Sequence, residues 1–537
     1  MHFPLSVGLI MTKTTNQEAL NSQTLNPQVE QLDYLRRILL APIYDTVVET
    51  DLTPLTKLST RLNNQLYLKR EDQQPVHSFK LRGACNKLST LTDTEKSNGV
   101  IAASAGNHAQ GLALAASKLS IKATIVMPKT TPDIKVDNVR RFGGEVRLVG
   151  NSFNEAQTAA VEYAIAENKT LVHPFDDADI IVGQGTVAKE LLQQLPNADV
   201  AFIPVGGGGL LAGMAVYLKQ LSPSTRIVGV EAEDSACLKA ALEAGKPVDL
   251  EQVGLFADGV AVKRIGQNTF DLIQKYCDEV ITVSTDEICA SIKDIFEQTR
   301  VIAEPAGALS LAGLQKYCAI NKIENQSLVA VLSGANMNFH SLRYVSERCE
   351  LGENKEAVFA VSINEEKGSF KRFCQSLHGR AITEFNYRYS GKAQANIFVG
   401  IRLSGEAKAR EVLVEDLQKH NEKVLDLTDN ELAKLHVRYM VGGKSVNEPG
   451  SLDNERLFRF QFPEHPGALE KFLDAMGEHW NITLFHYRNH GAAFGQVLAG
   501  FNVKKEQENE FFSHLDALGY QWQEESDNLA YQSFLKD

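Results

Sequence analysis

The chain has 537 residues, 43% hydrophobic and 23% charged, with a formal net charge of -12. A chain of this length forms roughly two to four domains with sizeable cores. The acidic balance, without a long block of Lys and Arg, argues against a surface that binds nucleic acid or anionic lipid and favours small-molecule chemistry.

Residues 1–30 read as a flexible leader. Their apolar start lacks a basic segment and a small-residue cleavage site, and translation could begin at Met1 or at Met11. No apolar run approaches the roughly 20 residues that span a bilayer. The seven cysteines contain no C-x-x-C pair, which argues against a disulfide framework or a zinc site. We therefore expect a cytoplasmic protein with no membrane segment and no bound metal.

From about residue 47 to residue 335, short β-branched runs alternate with amphipathic helical stretches. The predicted strands cover residues 99–103, 123–127, 145–149, 200–205, 226–230 and 327–332. Apolar strands separated by helices indicate an α/β domain with a parallel sheet covered on both faces. Such sheets bind ligands beyond the carboxyl ends of their strands. The turns that begin at Ser104, Gly206 and Ser333 each follow a predicted strand, so we expect them to converge on one side of the sheet.

Lys80 lies in an unusually apolar setting for a cation, between Phe79 and Leu81. A lone lysine is more often a solvated surface charge. A desolvated amine, however, loses its proton readily, as a lysine that forms a Schiff base must. Lys80 is therefore a candidate catalytic residue.

Four consecutive glycines follow the strand at residues 200–205 and open a helix. Glycines let the backbone approach a phosphate closely, and the helix start directs free amides at the anion. The same segment, from Gly207 to Ala212 with Glu231 further on, also satisfies a dinucleotide-binding pattern. A nicotinamide-dependent oxidoreductase is thus a rival interpretation, and a tight turn without ligand is a third.

The turn at residues 104–108 opens another helix, and its free amides could hold a substrate carboxylate. The candidate substrate-binding residues are Ser104, Gly106, Asn107 and His108. Asn107 also offers an amide donor to a phenolic oxygen of a cofactor. In the simpler interpretation Ser104 only caps the helix and His108 only packs. Ser333 could bind a pyridine nitrogen through a neutral hydroxyl, or it could belong to an ordinary strand-end turn.

After about residue 348 the sequence repeats itself. Phe359 aligns with Phe458 at an offset of 458 - 359 = 99, and Ile382 aligns with Ile482 at an offset of 100. Each copy has the order β-α-β-β-α-β of a ferredoxin-like module. We predict a catalytic domain at residues 31–348, a first module at residues 356–431 and a second module at residues 455–530.

Taken together, the motifs resemble those of fold type II enzymes that use pyridoxal 5'-phosphate (PLP), and in particular the threonine dehydratase family with its ACT-like regulatory repeats. The resemblance covers the chain from about residue 32 to the C-terminus. It is carried by residues 53–55, 68–72, 78–84, 104–111, 206–210, 304–308 and 333–336.

The resemblance implies roles for individual residues. Lys80 would hold PLP as a Schiff base and act as the general base, and Phe79 would flank the ring. Asn107 would contact the 3-hydroxyl, and Ser333 the pyridine nitrogen. The phosphate would be bound by the residues of the glycine loop, Gly206, Gly207, Gly208, Gly209 and Leu210.

The resemblance also implies an activity and its partners. L-Threonine would be converted to 2-oxobutanoate and ammonia, the first step of isoleucine synthesis, in a homo-oligomer expected to be a tetramer. Isoleucine would inhibit and valine would oppose the inhibition. A serine dehydratase, a racemase or a β- or γ-replacing synthase of the same fold remains open, as does an amino-acid sensor without activity.

The two modules differ in their first strand-to-helix loop. The loop of the second copy is closer to the usual ligand-loop pattern of such domains, so we favour it as the effector site. Its residues are Glu464, His465, Pro466, Gly467, Ala468 and Leu469. Both loops could instead be plain connections.

Overall fold

A computed structural model describes most of the chain. The described residues are 33–254, 256–339, 341–364, 366, 368–388, 394–404, 408–420, 423–430, 433–434, 438, 454–463, 468–477, 479–488 and 494–528. The chain divides into two compact units. The first unit comprises residues up to Ser284 together with Asp294–Asn338, and the second comprises Thr285–Lys293 together with Phe339–Asp537. The leader predicted at residues 1–30 lies outside the described residues, and the predicted domain boundaries stay predictions.

The first unit contains a six-stranded sheet. Its strands are β1 (Leu52–Pro54), β2 (Gln65–Arg70), β7 (Val200–Pro204), β8 (Arg226–Ala232), β9 (Glu279–Val283) and β10 (Ser327–Leu332). Their order is β1-β2-β10-β7-β8-β9. Only β1 runs antiparallel to its neighbour.

A second, four-stranded parallel sheet belongs to the same unit. Its strands are β3 (Val100–Ala103), β4 (Ala123–Met127), β5 (Glu145–Leu148) and β6 (Thr170–Leu171), in the order β5-β4-β3-β6. The fold class predicted from the sequence, an α/β domain with parallel sheets, is confirmed, although the periodicity did not divide the strands between two sheets. The apolar runs predict strands, whereas the partner of each strand depends on long-range packing that periodicity does not encode.

Helices connect the strands of the first unit. They are α1 (Tyr34–Leu39), α2 (Thr56–Leu62), α3 (Lys80–Ser89), α4 (Asp93–Asn98), α5 (Asn107–Lys118), α6 (Asp133–Arg141), α7 (Phe153–Ala166), α8 (Ala178–Gln194), α9 (Gly209–Leu221), α10 (Cys237–Ala244), α11 (Gln267–Tyr276), α12 (Thr285–Thr299) and α13 (Pro305–Asn321). Of α12, only residues from Asp294 onwards fall in this unit. Aliphatic side chains and alanine dominate the core, as expected for strands covered by helices.

The second unit consists of two ferredoxin-like modules. The first module has β11 (Glu356–Asn364), α15 (Ser369–Ser376), β12 (Ile382–Arg388), β13 (Gln394–Arg402), α16 (Ala409–His420) and β14 (Lys423–Asp426), and α14 (Ser341–Gly352) precedes it. The second has β15 (Glu455–Pro463), α17 (Ala468–Phe472), β16 (Asn481–Arg488), β17 (Phe494–Asn502), α18 (Glu508–Leu518) and β18 (Gln521–Glu524). The predicted β-α-β-β-α-β order of both copies is confirmed.

The two modules share one antiparallel sheet of eight strands, in the order β14-β11-β13-β12-β16-β17-β15-β18. They meet where β12 pairs with β16, and there Asn386 lies opposite His486. These two residues occupy equivalent positions, because 386 + 100 = 486. Glu384 lies opposite Arg488 and Arg388 opposite Leu484, so the pairing has twofold symmetry. Phenylalanines fill the core beneath the sheet, with Phe385 and Phe485 at a centroid distance of 5.8 Å.

Among the described residues, no helix is long and apolar enough to cross a membrane.

Candidate active site

Lys80 is the first residue of α3, and the segment before it is tied to the turn after β10. The backbone N–H of Phe79 donates to the carbonyl of Ser333 at 3.1 Å, and Ser78 forms a β-bridge with Gly334. The Lys80 amine is half-buried, lies 5.1 Å from the ring centroid of Phe79 and donates to the carbonyl of Pro174 at 3.1 Å. Burial lowers the pKa of Lys80 to about 8, although Glu304 acts to raise it. A substantial fraction of this amine is therefore neutral near physiological pH.

The glycine loop follows β7 and opens α9. In the part of the chain that the structure describes, the backbone N–H groups of residues 206–210 have no hydrogen-bond acceptor. Gly208 has a φ of 89°, which favours glycine. A Cβ on Gly207 would lie 2.2 Å from Cγ of Phe175, so no side chain fits there. The loop is a set of unused amides at the positive end of a helix, which is a binding site for an anion.

The turn after β3 has the same character. The N–H groups of Ala105, Asn107 and His108 find no acceptor among the described residues, while that of Gly106 donates to Ser104 Oγ at 3.3 Å. The helix begins at Asn107, within the segment 104–108 that was predicted to be a turn, and Gly106 rather than Ser104 is the N-cap. These amides leave room for a carboxylate at the helix start.

The side chain of His108 is not available to bind a carboxylate at this helix start. Its side chain is buried, and Nε2 donates to the carbonyl of Val172 at 3.2 Å. Burial, reinforced by Lys80, lowers the pKa of His108 to about 3. The imidazole is therefore neutral and packed, which agrees with the simpler interpretation of the sequence for this side chain.

Ser333 and Asn336 bring the turn after β10 to the turn after β3, although the two strands belong to different sheets. Ser333 is buried, and its hydroxyl donates to the carbonyl of Ala306 at 3.2 Å. Asn336 Nδ2 donates to Asn107 Oδ1 at 2.7 Å. The expected convergence of these two turns is therefore observed, but across two sheets.

The glycine loop is connected to Lys80 and to the turn at Asn107 through two further segments. Phe175 follows Pro174, which accepts from Lys80, and packs against Gly207. On the other side, Cβ atoms on Gly206 and Gly259 would lie 2.9 Å from Val260 Cα and 3.9 Å from Asn107 Nδ2, respectively. Lys80, the glycine loop and the turns at Asn107 and Ser333 thus lie close together. The space that they border is called the cleft below.

Glu304 was part of a sequence motif but received no predicted role. It is buried at the start of α13, accepts from Asn107 Nδ2 at 2.6 Å through Oε1, and accepts from the backbone N–H of Asn336 at 3.1 Å through Oε2. Burial, together with Asp258, raises the pKa of Glu304 to about 7. An ionisable residue directly before a proline-initiated apolar helix was the only available signal in the sequence.

The nicotinamide interpretation fails on the position of Glu231. Its two carboxylate oxygens accept from the backbone N–H groups of Leu238 and Lys239, at 2.8 and 2.9 Å. Glu231 therefore caps α10, and its carboxylate is not available to the hydroxyls of a ribose.

The residues around the cleft fit PLP. A lysine amine of lowered pKa is present for the aldehyde, and the unused amides of the glycine loop suit the phosphate. The buried Ser78 hydroxyl has no hydrogen-bond partner among the described residues, and a bound polar group could satisfy it. In the described ranges, no group of three or more His, Cys, Asp or Glu side chains could hold a metal ion.

The candidate effector loop of the second module is only partly described. Glu464, His465, Pro466 and Gly467 lie outside the described residues, and Ala468 and Leu469 begin α17. The equivalent loop of the first module borders a small cavity of about 30 Å³. The cavity is lined by Ile363, Asn364, Glu366, Gly368, Ser369, Phe370, Tyr387, Trp480, Asn481 and Ile482.

Two family models match the chain. One, described as "Pyridoxal-phosphate dependent enzyme", matches residues 43–334. The other, described as "C-terminal regulatory domain of Threonine dehydratase", matches residues 347–437 and 448–535. The first match contains Lys80 and the residues around the cleft, and the second contains both ferredoxin-like modules.

Two threonine dehydratases are similar to this chain over nearly its whole length. The L-threonine dehydratase biosynthetic IlvA of Salmonella typhimurium is 56% identical over 96% of this chain and 99% of its own. The mitochondrial threonine dehydratase of Saccharomyces cerevisiae is 47% identical over 94% of this chain and 89% of its own.

Solved structures match about three fifths of the chain. The processed form of threonine deaminase isoform 2 from Solanum lycopersicum has a TM-score of 0.59 at 48% identity, covering 61% of this chain and 89% of that chain. Maize serine racemase has a TM-score of 0.55 at 31% identity, covering 58% and 95%. With full-length relatives above half identity and both family models in place, the chain belongs to the biosynthetic threonine dehydratase family of PLP-dependent lyases.

Proposed function

We propose that this enzyme deaminates L-threonine to 2-oxobutanoate and ammonia, with Lys80 as the residue that carries PLP. The observation that supports this most directly is the Lys80 amine, whose pKa is lowered to about 8, in a cleft bordered by two sets of unused backbone amides. The full-length similarity to threonine dehydratases supports the choice of substrate. When bound, PLP supplies an electron-withdrawing ring that makes the α-proton of an amino acid acidic.

Each predicted site residue has a role in this proposal. The amides at the start of α5, around Ser104, Gly106 and Asn107, hold the substrate carboxylate. Lys80 Nζ, once freed, takes the α-proton, because an amine with a pKa near 8 is a base suited to neutral pH. Asn107 would donate to the 3-hydroxyl, and Phe79 would flank the ring. Ser333, whose hydroxyl donates to the carbonyl of Ala306 in this structure, would contact the pyridine nitrogen instead. The phosphate would be bound by Gly206, Gly207, Gly208, Gly209 and Leu210.

His108 enters the proposal only through its backbone. Its N–H has no acceptor among the described residues, whereas its imidazole is occupied by Val172. We assign the amide, rather than the ring, to the substrate carboxylate.

A serine racemase or serine dehydratase activity is the second candidate, because maize serine racemase is similar over 58% of this chain. The regulatory domain favours the biosynthetic dehydratase. Formation of 2-oxobutanoate from L-threonine, measured beside formation of pyruvate and D-serine from L-serine, separates the candidates. We expect the highest kcat/KM for L-threonine. A higher kcat/KM for L-serine in either reaction would contradict the proposal.

We also propose that isoleucine inhibits the enzyme by binding to the second unit and that valine opposes it. The buried Trp480 Nε1 in the cavity lining has no partner among the described residues and could donate to a ligand. A cavity of about 30 Å³ holds one water molecule, so an amino acid would have to open it. A ligand that binds only an opened form shifts the conformational equilibrium, as inhibition at a distance requires. The residues around this cavity support the loop of the first module as an effector site.

The two tryptophans of the chain provide a matched test. Trp480→Phe keeps the apolar ring but removes the indole donor, whereas Trp522→Phe makes the same change in β18. We expect Trp480→Phe to raise the isoleucine concentration for half-inhibition about tenfold, and Trp522→Phe to leave it unchanged. Equal responses of the two variants would exclude this cavity as the effector site.

Two further properties belong to the proposal. We expect a homotetramer, which sedimentation of the full-length enzyme would test, and a population of monomers only would contradict it. We also expect the enzyme in the cytoplasm. All seven cysteines are free, as suits a reducing compartment.

A further inference from the structure

Glu304 is an ionisable side chain in an unusual place. It is the N-cap residue of α13, but its carboxylate does not cap that helix. The side chain is 5% exposed and extends to Asn107 and Asn336 instead. Burying a carboxyl group is costly unless its oxygens are hydrogen-bonded, and here each oxygen accepts one donor.

The surrounding backbone leaves space for this carboxyl group. A Cβ on Gly334 would lie 2.4 Å from Glu304 Oε1, and one on Gly259 would lie 3.5 Å from it. A side chain at position 334 would therefore collide with the carboxylate. The carboxyl group of Glu304, and not only the turn, therefore requires a glycine at position 334.

The contacts around Asn107 fix the orientation of its amide. Its Nδ2 donates to Glu304 Oε1 at 2.6 Å, and its Oδ1 accepts from Asn336 Nδ2 at 2.7 Å. Asn336 Nδ2 is itself held by the carbonyl of Val76 at 2.8 Å. A flipped Asn107 would set an amide oxygen against a carboxylate and an amide nitrogen against another amide nitrogen. One orientation is therefore strongly preferred.

The amide of Asn107 has one donor left over. Nδ2 carries two hydrogens, and Glu304 is its only acceptor among the described residues. Asn107 borders the same cleft as Lys80, so the second N–H is available to a group bound there.

We propose that Glu304 is a positioning residue for the cofactor: it locks the Asn107 amide so that the remaining N–H is directed to the bound PLP. This inference rests on the proposed function, since it takes PLP as the occupant of the cleft. Glu304 acts through Asn107 and does not itself react.

The proposal requires two acceptor atoms at position 304. Above the Glu304 pKa of about 7, the carboxylate accepts from both Asn107 and Asn336, whereas the amide of glutamine offers one acceptor and one donor. Glu304→Gln therefore places an N–H group against an N–H group at one of the two contacts. Because a buried donor without an acceptor is costly, this nearly isosteric change should release Asn107 from its fixed orientation.

The experiment compares Glu304→Gln with Glu231→Gln in the full-length enzyme. Glu231 is a matched control, because it is also buried, also accepts one N–H group at each carboxylate oxygen and also has its pKa raised to about 7 by burial. The readouts are the dissociation constant of PLP from titration of cofactor-free protein, the visible absorption band of the bound cofactor, kcat, KM and Tm.

We expect Glu304→Gln to weaken PLP binding roughly tenfold or more, to shift the absorption band, and to lower kcat more than it raises KM. Glu231→Gln should lower Tm by a similar amount and leave the band and PLP affinity as in the wild type. An unchanged band and unchanged PLP affinity in Glu304→Gln would overturn the proposal, as would equal changes in both variants.

A double exchange separates the network from the donor. Glu304→Gln combined with Asn107→Asp restores every hydrogen bond of the network, because the new amide donates to the new carboxylate and still accepts from Asn336. It leaves no N–H for the cofactor. We expect Tm to recover while the absorption band stays shifted. Recovery of the band as well would overturn the assignment of the Asn107 N–H to PLP.

Failure of this inference can be distinguished from failure of the proposed function. A wild-type protein that binds PLP but does not deaminate threonine would contradict the proposed activity and leave the comparison of the two glutamine variants intact. A wild-type protein that binds no PLP would overturn both.

Discussion

The two units bury charge in different ways. In the first unit, Arg82 pairs with Glu71 at 2.7 Å and with Glu190 at 2.5 Å, and Lys69 pairs with Glu190 at 2.7 Å. All four side chains are at most 1% exposed. In the second unit, phenylalanines form the core, and Glu384 of the first module pairs with the buried Arg438, which follows that module in the chain. The second module has Leu484 at the position equivalent to Glu384.

The difference follows from what each unit has to fix. Arg82 lies two residues after Lys80 on α3, and its ion pairs tie that helix to the segment after β2 and to α8. A catalytic amine has to be held within a fraction of an ångström, and directional bonds do this. The modules of the second unit pack an apolar layer under their sheet, and the position of Glu384 in the first module is occupied by Leu484 in the second.

The largest expected effect lies at the amine. Lys80→Arg should reduce 2-oxobutanoate formation by about 10³-fold or more, because a guanidinium keeps its charge and cannot form the covalent link to PLP. Lys87→Arg, on the same helix, should retain activity, since Lys87 pairs with Asp177 and Asp179. Undiminished turnover in Lys80→Arg would contradict the assignment of Lys80 as the residue that carries PLP.

Arg82→Met tests whether the ion pairs of the first unit are structural requirements. It leaves two buried carboxylates without their main partner, and we expect a loss of about 3–5 kcal/mol in the free energy of unfolding. Arg147→Met removes an exposed ion pair with Glu167 and should cost less than about 1 kcal/mol. Chemical denaturation measures both, and similar losses would show that burial of the pair is irrelevant.

A third experiment exchanges the diverged positions of the second unit. Glu384→Leu leaves Arg438 buried without its closest partner, and we expect a loss of about 3 kcal/mol. Leu484→Glu buries a carboxylate beside Leu457 and Leu498 and should cost a similar amount. If either exchange leaves the thermal unfolding temperature unchanged, the difference between positions 384 and 484 has no effect on stability.

The smallest effect concerns pH. Because burial lowers the pKa of Lys80 to about 8, the neutral amine that attacks the cofactor is depleted roughly tenfold for each pH unit below that value. The rate of covalent PLP attachment to cofactor-free enzyme should rise to about pH 8 and then level off. Stopped-flow absorbance would measure it, and a rise that continues to about pH 10 would indicate an unperturbed lysine.

Sequence patterns predicted the elements better than their arrangement. The predicted strands at residues 123–127 and 327–332 match β4 and β10, because apolar runs mark buried strands. By contrast, β2 was not singled out, since it carries Lys69 and Arg70 as buried residues. The burial of Lys69 depends on a partner more than 100 residues away, Glu190, and no local pattern reports this.

The candidate site was predictable to the same degree. Lys80, Asn107, the glycine loop and Ser333 stand out by residue type and by their place after strands or at helix starts, and the structure brings them to one cleft. Glu304 does not stand out, because its importance lies in contacts with Asn107 and Asn336. His108 stands out, yet its ring is committed to Val172.

The pairing of β12 with β16 has an evolutionary consequence. In a symmetric homodimer, a single mutation alters both halves of the contact at once. Here the two halves of the same symmetric contact are encoded separately, so Asn386 and His486 face each other as different residues. One half can acquire a ligand pocket while the other keeps the architecture intact.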